Sequence, residues 1–368
     1  MRLSERVWPS LAGLVFALFS LSTVADEVCR VAFDMGSSGI RAGVSNSGVS
    51  TRAEIDYLGP LWAGRGLAEN VAPTIAALCD LPVQGGFPDT CSRVGGGFSA
   101  WRLALQQDAD GLAEILARIR AESGVAVLLL PQRQEGAYGY FGARQILGDK
   151  LTTSHVLDIG GGSLQVAGER TAYGAALGQK IWHRHLCQEI RNAESSPCVL
   201  QPLTGDELII ARELMQEKLT GLGLVLTEPI AMTAISRPVS RGVLPAVLRL
   251  AAKAGGQTGE GSPKQFQRSA LSAAIKQIAT ASLEETASLV GSSPTYVPYL
   301  LSDMLLVEGL MLATGGESLQ VAELDLTNLP GLLNDDHAFS WQAHYGCYLE
   351  RLRTMGLEAY ASDPATCR

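Results

Sequence analysis

The stretches DMGSSGIR, residues 34–41, and DIGGGS, residues 158–163, decide the fold of this chain. Each follows a run of apolar residues, begins with an aspartate and passes through glycine and serine before a segment that carries a polar residue. The pattern predicts a strand–turn–strand unit over Arg30–Val44 and a second one over Ser154–Glu169. Because the two units repeat one another, we expect two related lobes that each present one turn to a shared cleft.

Outside these units the chain alternates strand and helix patterns. Apolar residues at helical spacing predict a helix over Asp108–Glu122, followed by a buried strand over Val125–Leu130. The pattern indicates an α/β protein whose sheets are covered by helices. Further helices are predicted over Gly205–Lys218, Ser269–Val290, Tyr296–Ala313 and the amphipathic tail WQAHYGCYLERLRTMG, and Lys253–Lys264 is predicted to be an exposed loop.

Composition limits the classes of ligand. At 368 residues the chain exceeds the usual size of one domain, and 46% hydrophobic residues indicate a substantial core. The net charge of -8 excludes broad binding to nucleic acid, because no basic field is present to displace counterions from phosphate groups. An anionic substrate must therefore be held by local donors and a metal ion.

The N-terminus has the pattern of a secretory signal peptide. Arg2 and Arg6 precede an apolar run from Leu11 to Leu21, and small residues follow up to Ala25. We expect cleavage after residue 25 and a secreted or periplasmic protein. A retained membrane anchor is the alternative, which the short apolar run disfavours.

All seven cysteines follow that segment, as expected in an oxidising compartment. Cys79 with Cys91, and Cys187 with Cys198, flank short loops, so each pair could form a disulfide. The odd count leaves at least one thiol free or paired elsewhere, and the connectivity stays open for Cys29, Cys347 and Cys367.

The segment HRHLC offers a different possibility for one of these cysteines. If it formed a strand, His183, His185 and Cys187 would alternate along one face and could bind a metal ion. A disulfide between Cys187 and Cys198 is favoured instead, because a metal ligand would need a free thiolate in an oxidising compartment.

The two turns have the residue types that bind phosphate. In the first, Gly36 lets the backbone approach an anion, and the amides of Ser37 and Ser38 can form an anion-binding nest. Asp34 would face a metal ion through water. In the second, Asp158 takes the same place, and the backbone that would surround the anion comprises Gly160, Gly161, Gly162 and Ser163.

A candidate general base lies between the turns. Glu135 is the carboxylate of QEGAYGYFGARQILG, residues 134–148, at a predicted junction of the lobes, and it could deprotonate an attacking water molecule. Gln165, on the segment that leaves the second turn, could position that water through its amide.

These motifs resemble the phosphate-1, catalytic-glutamate and phosphate-2 motifs of the actin-like ATPase superfamily. Two branches are similar: the exopolyphosphatase and guanosine pentaphosphate phosphatase family (Ppx/GppA), and the apyrases, which are nucleoside triphosphate diphosphohydrolases. Gln165 and the sequence EGAYGY are closer to the apyrase pattern, whereas the short chain and the GGGS turn favour Ppx/GppA. The resemblance covers residues 30–190. TEPIAMTAISRPVSRG stands about where a late nucleotide-binding segment is expected, without the glycines expected of such a segment.

The resemblance implies a two-lobed α/β fold of the actin-like, ribonuclease H-like type, with the active site in the interlobe cleft. It implies a first lobe over residues 26–148, a second over 149–335, and a C-terminal helix over 336–368 that packs back on the first. It also implies that the segment GFSAWRLAL supplies Arg102 as a phosphate contact, although Phe98 stands where a threonine is expected.

The implied activity is direct attack by water on the terminal phosphorus of a nucleotide or of polyphosphate. Asp34 and Asp158 would hold Mg²⁺ or Ca²⁺, the two turns with Arg41 and Arg102 would bind phosphate, and Glu135 and Gln165 would act on the water. No nucleic-acid partner and no stable membrane anchor are expected. The alternatives are a catalytically weakened phosphate- or nucleotide-binding relative, a sugar or acetate kinase, and a filament-forming relative.

Overall fold

The computed structural model describes residues 29–194, 196–226, 229–253, 255, 264–325 and 328–367. Two mixed sheets, of five and six strands, form the centres of two α/β lobes. The predicted signal peptide and most of the predicted loop Lys253–Lys264 lie outside the described residues.

The strands are β1 (Arg30–Met35), β2 (Gly39–Val44), β3 (Ser50–Glu54), β4 (Ser92–Gly97), β5 (Ala126–Leu129), β6 (His155–Ile159), β7 (Leu164–Gly168), β8 (Ala172–Ala175), β9 (Met232–Ala234), β10 (Gln265–Gln267) and β11 (Ser318–Val321). The helices are α1 (Leu58–Trp62), α2 (Val71–Gly85), α3 (Ser99–Gln107), α4 (Ala109–Ser123), α5 (Gln132–Leu147), α6 (Gln179–Arg191), α7 (Gly205–Lys218), α8 (Thr220–Val225), α9 (Leu244–Lys253), α10 (Arg268–Ala279), α11 (Leu283–Leu289), α12 (Leu300–Ala313), α13 (Leu329–Leu333), α14 (Asp336–Ser340), α15 (Tyr345–Met355) and α16 (Glu358–Ala361). Short 3₁₀ turns cover Ala68–Asn70, Gly148–Lys150, Val297–Tyr299, Trp341–His344 and Pro364–Thr366, and a π-helical turn covers Pro238–Val243.

The first sheet has the order β3-β2-β1-β4-β5. β1 and β2 form the predicted antiparallel hairpin, in which Asp34 pairs with Arg41. β4 lies parallel to β1, and β5 lies parallel to β4, so the carboxyl ends of these three strands meet at one edge of the sheet. β5 is buried along its whole length, as expected for a strand with helices on both faces.

The second sheet has the order β10-β11-β9-β6-β7-β8. β6 and β7 form the second predicted hairpin, in which Asp158 pairs with Gln165. The aspartate of each unit therefore pairs with the polar residue of the strand that leaves the turn. This equivalence confirms the repeat seen in the sequence.

Helix α5 joins the two sheets. It begins directly after β5 of the first sheet and packs on β7 and β8 of the second. Gly136 permits this contact, because a Cβ atom there would already lie 3.3 Å from Ala167 and 3.4 Å from Gln165. Any larger side chain at Gly136 would push α5 away from the second sheet.

The C-terminal segment packs on the first sheet through tyrosines. Within α15, the Tyr345 hydroxyl donates to the backbone oxygen of Val127 at 2.9 Å, and the Tyr348 hydroxyl accepts from the backbone amide of Leu129 at 2.7 Å. Both hydroxyls thereby bond to the buried strand β5, which satisfies polar groups that burial would otherwise leave without partners.

Two secondary-structure predictions are wrong in detail. The segment Ser269–Val290 is two helices, α10 and α11, because Ser282 caps a new helix through a capping box with Glu285. The segment HRHLC is not a strand but part of α6, where Trp182 and Leu186 are both buried, four residues apart on one face of the helix.

The predicted pairing of Cys79 with Cys91 is also wrong, whereas Cys187 pairs with Cys198. Cys29 and Cys91 immediately precede β1 and β4, which are parallel neighbours with Arg30 opposite Ser92, so these cysteines form a disulfide. A third disulfide joins Cys347 to Cys367. Cys79 lies on the exposed face of α2 and is free, so the described residues, which include every cysteine of the chain, hold three disulfides and one thiol.

None of the helices in the described part of the chain has the length and apolar character needed to cross a bilayer. The three disulfides are the kind of crosslink that persists in oxidising compartments.

Candidate active site

The two glycine turns meet in a cleft of about 630 Å³ between the lobes, which we call the interlobe cleft. Both aspartates, Asp34 and Asp158, line it, so the two turns face one another as the sequence predicts. The other predicted site residues along its wall are Gly36, Ser37, Ser38, Arg41, Glu135, Gly160, Gly161, Ser163 and Gln165. Gly162 is not part of this wall, because it packs against Ser99 of the first lobe.

The first turn is tight. The amide of Gly36 donates to the backbone oxygen of Gly39 at 3.0 Å. Gly39 has a φ of +150°, and a Cβ atom there would lie 2.2 Å from the backbone oxygen of Ala53 on β3. Glycine is therefore required at this position both for its backbone conformation and for the close approach of β3.

The second turn is held by the start of α6. The amide of Gly160 donates to the oxygen of Ser163 at 2.9 Å, and the amides of Gln179 and Lys180 donate to the oxygens of Gly160 and Gly161 at 2.9 and 2.8 Å. A Cβ atom on Gly178 would lie 2.5 Å from the Gly160 oxygen. The turn and the helix therefore form one unit that tolerates no side chain between them.

The turns of the two lobes touch. A Cβ atom on Gly161 would lie 2.5 Å from the Oγ atom of Ser37 in the opposite turn. Lys180, on the second lobe, donates from Nζ to Ser38 Oγ at 3.2 Å. These contacts bring the ammonium group of Lys180 to the mouth of the cleft, where a phosphate group could replace the serine hydroxyl as its acceptor.

Asp34 and Asp158 are in an environment that disfavours negative charge. Burial raises the pKa of Asp34 to about 6, with Arg41 opposing the rise and Glu135 adding to it. Burial, followed by the charges of Glu135 and Asp34, raises the pKa of Asp158 to about 7. Three carboxyl groups thus face one another, and a divalent cation between them would relieve their repulsion. Oxygen ligands of this kind fit Mg²⁺ or Ca²⁺.

Glu135 lies in the first turn of α5 and is held at one oxygen. Its Oε2 atom accepts from Arg102 Nη2 at 2.6 Å, from Gln165 Nε2 at 2.8 Å and from Ser163 Oγ at 3.4 Å. No described residue donates to Oε1. The carboxylate is therefore fixed in place while one oxygen stays available to a ligand in the cleft.

Arg102 lies behind Glu135 and does not reach the cleft wall among the described residues. Its side chain is buried, with Nη1 donating to the backbone oxygen of Leu130 at 2.9 Å. The Nε atom has no partner in the described structure. The guanidinium thus contacts Glu135, and a direct contact with phosphate, as the resemblance implies, would require it to move.

The sequence interpretation missed several polar residues of the cleft wall, among them Gln179, Lys180, Arg237, Tyr296 and Asn328. Asn328 donates from Nδ2 to Asp34 Oδ2 at 3.4 Å, although almost the whole chain separates them in sequence. Arg237 belongs to TEPIAMTAISRPVSRG, which lacks the glycines expected of a late nucleotide-binding segment. No sequence signal marks the others, since they lie outside recognisable motifs.

A second pocket of about 430 Å³ continues from the interlobe cleft and is rich in arginine. We call it the arginine pocket; its charged residues are Arg41, Arg52, Arg237, Arg241 and Asp325. Arg237 pairs with Asp325 at 2.6 Å, and Arg241 pairs with Glu323. Arg41 and Arg52 form no ion pair among the described residues. Burial lowers the pKa of Arg41. The charges of Asp34 and Asp325 oppose this shift, and those of Arg237 and Arg52 add to it.

The predicted metal site in HRHLC is excluded. His183, Cys187 and Cys198 lie close together, but both sulfur atoms belong to one disulfide and cannot bind a metal ion as thiolates. His183 is fully buried between Ser302 Oγ at 3.0 Å and the backbone oxygen of Cys198 at 3.2 Å. Burial lowers the pKa of His183 to about 4, so this histidine is neutral and structural.

Comparisons with known proteins point to one fold. No family model matches the chain, and no curated protein matches its sequence. The chain is similar to the crystal structure of the Aquifex aeolicus member of the Ppx/GppA family, with a TM-score of 0.59 and 16% identity over 83% of this chain and 96% of that one. A structure described as an exopolyphosphatase from Cytophaga hutchinsonii gives a TM-score of 0.55 and 14% identity, with the same coverage.

At this level of identity the comparisons establish the fold. The relation to the apyrases stays a prediction. The two mixed α/β sheets of this chain match the fold of the Ppx/GppA structures.

Proposed function

We propose that this protein is an exported, metal-dependent phosphoanhydride hydrolase that removes the terminal phosphate of nucleoside tri- or diphosphates or of polyphosphate. One observation carries the proposal: a buried glutamate, fixed at one oxygen by three donors, faces a cleft in which two glycine turns and two aspartates meet. Each part has a role in the hydrolysis of an anionic phosphate by water.

The aspartates would hold the cation. Asp34 and Asp158 come from equivalent positions of the two hairpins, and both carboxyl groups are destabilised by burial. A divalent cation supplies positive charge against the phosphate oxygens when bound. Asn328 donates to Asp34 Oδ2 and would keep the other oxygen of that carboxylate directed to the cation.

The turns would hold the phosphate. The turns at Ser37 and Gly161 are in contact across the cleft, and their backbone amides would be the donors to phosphate. Lys180 and Arg41 add positive side chains at its edge. These fixed donors can stabilise charge on the phosphate oxygens in the transition state without further reorganisation.

Glu135 would deprotonate the attacking water at its free oxygen, Oε1. Gln165 donates its amide Nε2 to Oε2 of the glutamate, so the amide oxygen of Gln165 remains to orient the water. Arg102 would act through Glu135 and not on phosphate, because it donates to the same oxygen. The proton would pass from water to Glu135 as the water oxygen bonds to the terminal phosphorus and the bond from that phosphorus to the bridging oxygen breaks. The products would be inorganic phosphate and the shortened nucleotide or polyphosphate, which is the leaving group.

The arginine pocket favours a substrate with several negative groups. It continues from the cleft at Arg41, and two of its guanidinium groups are not paired with acids in the described structure. A chain of phosphates, or the remainder of a nucleotide, could extend into it from the scissile bond. A weakened relative that binds phosphate without turnover is the second candidate, and Phe98, where the family pattern has a threonine, favours it.

The decisive experiment measures phosphate release from ATP, ADP, GTP, polyphosphate and pyrophosphate, with Mg²⁺, with Ca²⁺ and with EDTA. The Glu135→Gln variant should lose turnover by about 10²- to 10⁴-fold, because glutamine cannot accept the proton. Glu114→Gln, at an exposed position of α4, is the matched control and should keep full activity. Binding of ATP or polyphosphate by the native protein without metal-dependent turnover would favour the binding protein instead.

A further inference from the structure

Gln179 and Asp303 form a buried pair at the back of the interlobe cleft. Gln179 is the first residue of α6 and lines the cleft, while Asp303 lies in the first turn of α12 and is fully buried. The Nε2 atom of Gln179 donates to Oδ2 of Asp303 at 2.5 Å. The pair connects the cleft wall to the core of the second lobe.

Asp303 is costly for the fold. Helix α12 is buried from Leu300 to Met311, and the carboxyl group of Asp303 is buried with it. Its Oδ1 atom is buried without a partner in the described structure. Burial raises the pKa of Asp303 well above its ordinary value, and the hydrogen bond from Gln179 opposes this rise. A single donor compensates poorly for a buried carboxylate, so stability does not account for the residue.

The pair determines which end of the Gln179 amide faces the cleft. Because Nε2 is engaged by Asp303, the oxygen Oε1 is the end left for the cleft, and no described residue donates to it. The backbone amide of Gln179 is fixed to the Gly160 oxygen, so the side chain starts from a rigid point beside the second turn. An amide oxygen repels phosphate oxygens but can accept a hydrogen bond from an O–H group.

We propose that Asp303 is a positioning residue that orients the Gln179 amide so that its oxygen accepts a hydrogen bond from a water molecule in the cleft. The inference rests on the proposed function and adds two residues to its machinery. The water has two possible sources, the hydration shell of the cation or the attacking nucleophile, and the experiment below separates them.

The first test compares Gln179→Met, which keeps the length of the side chain, with Asp303→Ala and Asp303→Asn. Gln179→Met should lower kcat about tenfold, the effect of one lost hydrogen bond. Asp303→Ala should do the same, whereas Asp303→Asn should stay within about threefold of the native rate, because asparagine still offers an acceptor to Gln179. The double variant Q179M/D303A should be no slower than Gln179→Met, since Asp303 acts through Gln179.

A second test exchanges the positions of the carboxylate and the amide in the pair. Gln179→Glu places two carboxyl groups against one another and should lose activity. In the double variant Q179E/D303N, the asparagine amide can donate to the glutamate, which leaves one carboxylate oxygen toward the cleft. Recovery of activity in the double variant relative to Gln179→Glu supports the proposal. If Gln179 instead presented its NH₂ group to phosphate, both variants would be equally inactive, and the proposal would be overturned.

A third test identifies the source of the water and needs no substrate. The rise in Tm on addition of Mg²⁺ should shrink in Gln179→Met if the water belongs to the cation, and should match that of the native protein if the water is the nucleophile. If the native protein releases phosphate, but Gln179→Met changes neither kcat nor the response of Tm to Mg²⁺, this inference alone is overturned. Absence of phosphate release from the native protein overturns the proposed function itself.

Discussion

The Nη2 atom of Arg102 lies 2.6 Å from the Oε2 atom of Glu135, and both side chains are buried. Arg102 belongs to the first lobe, whereas Gln165, which donates to the same oxygen, belongs to the second. The glutamate is thus held from both sides of the cleft. This arrangement makes Arg102 necessary both for the position of the carboxylate and for its stability.

Replacement of Arg102 by methionine should therefore lower both stability and turnover. The change leaves Glu135 buried without its cation, which costs about 3–5 kcal/mol in comparable buried pairs. Denaturant unfolding should show this loss, and the double variant R102M/E135Q should recover part of it, because glutamine carries no charge. Equal stability of the single and double variants would contradict the ion pair.

Replacement of Gly178 by alanine should displace the second turn. The added Cβ atom would lie 2.5 Å from both the Gly160 oxygen and the Ser163 amide, and these backbone atoms have to move. Because displacements of about 1 Å at a catalytic site can cost about a hundredfold in rate, phosphate release should fall strongly. Gly205→Ala is the control, since no atom lies within 4 Å of the Cβ added there.

Thiol titration should find one free cysteine in the unfolded, unreduced protein, and Cys79→Ser should abolish it. The serine variant should keep its stability, because Cys79 is exposed and unpaired. Cys347→Ser, in contrast, opens the disulfide to Cys367 and should lower the free energy of unfolding by about 2–4 kcal/mol. Reaction of Cys91 in the native protein would contradict its pairing with Cys29.

His183 should make the protein less stable in acid. The pKa of His183 is about 4 in the folded protein, against an ordinary value of 6.5, so the unfolded chain binds the proton more tightly. The stabilisation is complete above pH 6.5 and is lost as pH falls toward 4, by up to ~1.4 kcal/mol per pH unit. His183→Gln should flatten this slope in unfolding experiments across that window.

Arg52 should matter for long substrates more than for short ones. It is exposed at the edge of the arginine pocket and has no ion pair in the described structure. Arg52→Gln should raise KM for long-chain polyphosphate several-fold and leave kcat for pyrophosphate within about twofold, because an exposed charge contributes mainly to attraction over distance. The effect should disappear at high ionic strength. An equal change in KM for both substrates would argue against a pocket beyond the scissile phosphate.

The two hairpins were predictable because the residues that specify each one lie close together in the sequence. Apolar strands, an initial aspartate and a glycine turn lie within a dozen residues of one another, and Asp34 and Asp158 fall at equivalent places in both. Glu135 could be proposed as well, since it is the carboxylate of QEGAYGYFGARQILG, which lies between the two turns. Local patterns of this kind specify where the chain turns and which side chains stand at the turn.

The remaining contacts depend on distant parts of the chain. Gln179 meets Asp303 across 124 positions, and no spacing rule connects a helix start to the first turn of another helix so far away. The pairing of Cys29 with Cys91 follows from the parallel alignment of β1 and β4, which a search for cysteines around short loops cannot find. The contact of Arg102 with Glu135 likewise depends on a distant part of the chain, because the guanidinium is also bound to the backbone oxygen of Leu130.

The hydrogen bonds that hold Glu135 from both lobes restrict motion between the lobes. If the lobes rotate apart, the carboxylate cannot follow both Arg102 and Gln165, so one hydrogen bond to a buried charge has to break. Such bonds are worth about 1.5–3 kcal/mol each, which biases the empty cleft toward the closed arrangement. Under the proposed function, substrate entry requires a transient opening, and Glu135 regains its full set of donors only after the cleft has closed around the phosphate.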